Sequence, residues 1–202
     1  EKCLSIMQQI KNNSDKSSND LSFYYSIYHI LALALISQKN YDKALDIIKE
    51  GLEKLPDEID LLYDFACAGY FLNDPSLIIK GGESYLSNLR LLEQNENNNI
   101  RLTNQENNRI ISTTSQSAIF SVKCWLLIAY IQINNTDHFA KLWEELKFQL
   151  KAQTENEQPS DYKNIVLTFL VIIAESLLTQ NQSRKFLEIS SFILTTCLEH
   201  QL

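Results

Sequence analysis

The side chains of this 202-residue chain that could do chemistry are three histidines, four cysteines and a crowd of carboxylates at Asp57, Glu58, Asp60 and Asp64. Carboxylates this close in sequence could share acid and base work. A solvated acidic face at the start of a helix, favoured by the helix dipole, explains the same residues more simply and is the expectation adopted. His29 sits between Tyr28 and Ile30, His138 follows Asp137, and His200 is two residues from the last. None of them stands in a local metal-binding or triad-like spacing. Cys3, Cys67, Cys124 and Cys197 lie 64, 57 and 73 residues apart, each inside an apolar-periodic stretch. That spacing fits neither a zinc site nor a small disulfide framework, so they are expected to be small core residues in a reducing compartment. Gly81-Gly82 is no phosphate loop, because no Lys-Ser/Thr follows it and no strand precedes it. No catalytic residue, metal or cofactor is therefore expected, and the chain is not read as an enzyme.

Charge narrows the partners. Eighteen Lys and Arg against 25 Asp and Glu give a net charge of -7, and the longest basic run is the pair Arg184-Lys185. Neutralising nucleic-acid phosphates or an anionic membrane surface takes clustered cations, so neither partner is expected. The longest apolar run, Ile165 to Ala174, is broken by Thr168 and is about half the length of a membrane-spanning helix. A cytoplasmic location follows as an expectation. The chain begins at Glu1, already in helical pattern, and is expected to be a piece of a longer protein.

The elements that would position these residues are helices. Four Gly and three Pro are too few for the hairpins and tight turns of a β fold, so an all-α chain folding as one domain over residues 1–202 is expected. Apolar residues recur at helical spacing in nine stretches: a short one at Leu4, Met7 and Ile10, then four pairs joined by short polar breaks. Pro75 suits the first turn of one helix and Thr136 or Asp137 the N-cap of another. The Gly81-Gly82 doublet marks either a kink or the close approach of a neighbouring backbone. Asn supplies seven of the fifteen residues from Gln94 to Asn108, which predicts a long loop near 94–114. Such short connections force the paired helices antiparallel.

Between Tyr28 and Pro56 the pairs acquire a signature. Tyr28 is followed by Leu31, Ala32 and Leu35; Ala44 comes twelve residues after Ala32, then Ile48, Gly51 and Pro56. This resembles a tetratricopeptide repeat, with Leu35, Ile48 and Gly51 replacing the usual aromatic, Phe and Ala. Ala66 with Ile78, and Ala174 with Phe186, keep the twelve-residue interval but lose the small second residue, while Ala140 falls eleven residues after Ala129. The resemblance implies an α-α superhelix, a solenoid of antiparallel helical hairpins with about nine helices. It also implies a concave groove lined by the first helix of each pair, which would hold Ser26, His29, Leu33, Tyr63, Cys67 and Tyr70. Residues 21–37 and 57–72 contain no Lys or Arg, so a carboxylate-clamping groove is not expected. An aromatic, mildly acidic groove suits an apolar or basic segment of a protein or peptide partner, or another domain of the same chain. Phe23, Tyr24, Tyr25 and Tyr28 could cage a ligand, although packing between helices explains them too. The expected function is a non-catalytic protein-protein interaction or scaffold module. A narrower similarity, carried by Tyr41-Asp42-Lys43-Ala44-Leu45, Leu55-Pro56-Asp57 and Asp60-Leu61-Leu62-Tyr63, is to the helical-repeat tail of bacterial glycosyltransferases. It implies the alternative role of an accessory module contributing to dimerisation or acceptor binding.

Overall fold

The computed structural model describes residues 18–97, 116–154, 160–179 and 181–200. They form eight α-helices and, among the described residues, no strand. The helices are α1 (Ser18–Ser37), α2 (Tyr41–Lys54), α3 (Ile59–Phe71), α4 (Pro75–Asn97), α5 (Gln116–Gln132), α6 (Thr136–Thr154), α7 (Ser160–Thr179) and α8 (Ser183–His200). The expected short helix at Leu4 to Ile10 lies outside the described residues. The chain divides between residues 113 and 114 into two compact units, α1 to α4 and α5 to α8.

One turn closes all four hairpins. Lys39, Asn73, Asn134 and Asn181 take positive φ angles of 59, 54, 56 and 57°. At the first, the Lys39 N–H donates to the Ile36 carbonyl and the Asn40 N–H to the Leu35 carbonyl, both at 2.9 Å. The same pair of bonds recurs at Asn73 and Asp74, at Asn134 and Asn135, and at Asn181 and Gln182. This is the Schellman arrangement, in which one left-handed residue lets the chain turn back and satisfy carbonyls that the helix end leaves open. The residue after it opens the next helix: Ala44, Ile78, Phe139 and Phe186 donate to the carbonyls of Asn40, Asp74, Asn135 and Gln182. Asn tolerates the left-handed region better than other L residues, which is how the hairpins turn without glycine.

Two sequence expectations change at the helix ends. The α6 cap is Asn135, whose side-chain oxygen accepts from the His138 N–H at 3.3 Å, because Thr136 is already helical. The first residues of the loop expected near 94–114 are helical, since α4 runs to Asn97; the remainder of that stretch lies outside the described residues. Pro75 is the first residue of α4, as its spacing predicts, and Asp74 caps that helix with bonds from the Ser76 and Leu77 N–H groups at 2.9 and 3.3 Å.

In the first unit the helices meet through small residues. α2 buries Ala44, Leu45, Ile48 and Gly51 at helical spacing, and the central cluster adds Ala32 from α1 with Phe65 and Ala68 from α3. Gly51 packs so closely that a Cβ there would lie 2.8 Å from the Leu61 side chain and 3.1 Å from the Tyr28 ring. At Gly81 a Cβ would stand 2.7 Å from the backbone nitrogen of Ala66. The glycine doublet is thus a close approach of α4 to α3 within one continuous helix. α1 packs against α2 and α3, and α3 against α4.

The second unit is filled by large side chains. α5 is buried continuously from Val122 to Ile131, α6 contributes Phe139, Leu142, Trp143 and Leu146, and α7 contributes Leu170, Ile173 and Leu177. α5 packs against α6 and α7, and α7 against α8. Lys123 is buried inside this packing, its ammonium donating to Glu145 Oε1 at 2.6 Å and to Gln149 Oε1 at 2.8 Å. The Trp143 indole donates to Glu188 Oε1 at 3.0 Å, which ties α6 to α8.

Candidate functional site

The first unit brings together a histidine and a carboxylate that are 35 residues apart. Nδ1 of His29, on α1, lies 2.7 Å from Oδ2 of Asp64, on α3. The Asp64 side chain is fully buried, His29 is one-fifth exposed, and the second oxygen, Oδ1, has no hydrogen-bond partner in the structure. Asp60, one helical turn before Asp64, is buried as well. The expected solvated acidic face is therefore half wrong. Asp57 is exposed, but residues four apart share one side of a helix, and α3 turns Asp60 and Asp64 inward because α1 and α2 cover that side. His29 is correspondingly not isolated, and the signal that would have found its partner is tertiary.

Charge and burial compete at this pair. Burial pulls the His29 imidazole down, but its hydrogen bond to Asp64 and the charges of Asp64, Asp60 and Glu58 prevail and hold it above its ordinary 6.5. Burial raises the Asp64 carboxyl above the usual range against the opposing pull of His29. Burial, with smaller contributions from Asp64, pushes both the Tyr63 hydroxyl and the Cys67 thiol up to about 12. Burial also raises Tyr85, whose ring lies 5.9 Å from that of Tyr63.

A carboxylate that fixes Nδ1 orients an imidazole for proton transfer at its other nitrogen. Cys67 lies one turn beyond Asp64, but a thiol pushed that high stays protonated and is a poor nucleophile. The arrangement is suited to holding a proton and joining two helices. Among the described residues, no group of three or more His, Cys, Asp or Glu could hold a metal ion, and no helix is long and apolar enough to cross a membrane.

Of the groove residues expected from the sequence, His29, Tyr63, Cys67 and Tyr70 are half-buried and Leu33 is 43% exposed, all on α1 and α3. The side chain of Ser26 lies outside the described residues. Cys67 is a free thiol and Cys124 a free, fully buried one, while the side chains of Cys3 and Cys197 are outside the description. Tyr28 is 1% exposed, its hydroxyl donating to Glu50 at 3.0 Å and accepting from the Lys54 ammonium, so it packs between helices and cages no ligand. His138 bonds Asn135 at its helix start, 3.0 Å from Nδ1 to Oδ1. The chain matches no protein-family model, no curated protein and no solved structure.

Proposed function

We propose that the chain is a non-catalytic helical-repeat interaction module, and that the face shared by α1 and α3 takes an apolar or basic segment of a protein partner or of a neighbouring domain. The observation that carries this reading is the recurrence of one hairpin turn at Lys39 and Asn73, 34 residues apart, with the same bonds at both. Thirty-four residues is the period of tetratricopeptide repeats. Gly51 and Ala66, small residues where that family uses them, supply the close helix contacts.

The surface chemistry supports the class of partner. Leu33 offers apolar area, Tyr63 and Tyr70 offer rings, and Glu58 puts a negative charge at the start of α3, where neither α1 nor α3 carries a Lys or Arg. Titration of the full chain with a fluorescent peptide of alternating Lys and Leu, and with its Glu and Leu counterpart, tests it. The basic peptide should bind at least about tenfold more tightly, and Leu33→Lys should weaken it by about the same factor without changing the circular dichroism. Equal affinity for the two peptides, or indifference to Leu33→Lys, would remove the α1/α3 face from consideration.

A further inference from the structure

A second concavity lies in the same unit, between α2 and α4, and none of the groove residues lines it. It is an open cleft of about 380 Å³ whose floor is apolar, formed by Leu52, Leu62 and Phe65 with Pro56 at one end. Lys49 lines it from α2 and Lys80 from α4, so two cations reach the cleft from separate helices. Both are exposed; the Lys49 charge also acts on the Asp74 carboxylate at the start of α4 and helps to lower it. The Lys80 ammonium lies 6.0 Å from the centre of the Phe65 ring, which leans it over the floor. Ser84, one turn beyond Lys80, adds a hydroxyl, and Gly81 between them adds no side chain to fill the space. Glu53 is the single carboxylate of the lining.

In a chain of net charge -7, two cations converging on an apolar floor are out of keeping with the general surface. We infer that this cleft binds a small amphiphilic anion, a carboxylate carrying an aliphatic or aromatic body of modest size. The carboxylate sits between the Lys49 and Lys80 ammonium groups, with the Ser84 hydroxyl able to donate to it. The body lies on Leu52, Leu62 and Phe65. The volume falls in the range of small-molecule sites and accommodates one chain or one ring system, not a folded partner. The cleft and the α1/α3 face share α3 but use different residues of it, Leu62 and Phe65 for the cleft against Tyr63, Cys67 and Tyr70 for the face.

Sodium octanoate and the uncharged octanol are the probes, followed on the full chain by amide NMR shifts. Octanoate should shift the Gly81 and Ser84 amides saturably, octanol should bind about tenfold more weakly, and Lys49→Gln combined with Lys80→Gln should weaken octanoate by about tenfold or more. Those lysines are exposed, so the double variant should keep its circular dichroism. Three results would overturn the inference: octanol binding as well as octanoate, shifts scattered away from the cleft, or a double variant that binds normally. A Glu- and Leu-containing peptide that shifted the same amides more tightly than octanoate would also overturn it, by making the cleft a peptide site.

Discussion

Gly51 and Gly81 admit close contacts between helices in the unit made of α1 to α4, whereas α5 to α8 contain no glycine and bury Trp125, Phe139 and Trp143. The hairpin turns of the two units are the same, so the difference lies in the side chains between the helices. The units also treat buried charge differently. The first joins two helices with His29 and Asp64, where the carboxylate holds the imidazole above its ordinary value; the second joins α5 to α6 with the buried Lys123 and with Glu145. A unit packed through small residues is sensitive to added volume, and one packed through large residues to lost volume.

The largest effect should come from removing volume in the second unit. Trp143 is 2% exposed, meets Phe192 edge-on at 5.5 Å and donates to Glu188, so Trp143→Ala should cost about 3–5 kcal/mol in urea unfolding followed through the remaining Trp125. A loss below about 1 kcal/mol would break the contrast. Adding volume in the first unit comes next. Gly81→Ala gains roughly 1 kcal/mol of helix propensity but drives a Cβ into the Ala66 backbone, for a net loss of about 1–2 kcal/mol. Neutral or raised stability would show that α4 can withdraw from α3 freely.

The third prediction concerns pH. With its folded value above the ordinary 6.5, His29 binds its proton more tightly in the folded chain. Its contribution is fully present below about pH 6.5 and is lost as pH rises through the folded value. Wild-type stability should therefore decline across that window, and His29→Gln should remove this part of the decline; matching slopes in the two proteins would refute the linkage. The smallest effects lie in the turns. Lys39→Gly relieves a left-handed lysine and should stabilise by up to about 1 kcal/mol, and Asn134→Gly by less, because Asn tolerates that region. A larger gain at Asn134 would contradict the account of the turns.

Helix order was legible because periodicity and breakers are local signals: α2, α3 and the start of α4 fall where Tyr41, Pro56, Asp57-Glu58 and Pro75 put them. The end of α4 was not, since Gln94 to Asn97 are compatible with helix or loop and the helix already in place carries them. Spacing on α1 and α3 selected Ser26, His29, Leu33, Tyr63, Cys67 and Tyr70, and those whose side chains are described keep some exposure. The fate of Asp60 and Asp64 was hidden, because a carboxylate near a helix start looks solvated until the helix that covers it is known. The left-handed turn residues left a trace in Asn73, Asn134 and Asn181, but nothing in sequence marks Lys39 as their equivalent. The Lys49 and Lys80 cleft joins residues 31 apart on separate helices, which no local pattern reveals.

Among the described residues, the main helix contacts inside each unit join helices that are next to each other in the chain or one removed. For the unfolded polymer this means that no distant ends must find one another before a contact repays the entropy of closing its loop. Within either unit a hairpin is a local piece whose two helices are joined by a short turn. Folding of either unit should accordingly fall on the order of microseconds to milliseconds, the range of helical proteins dominated by local contacts.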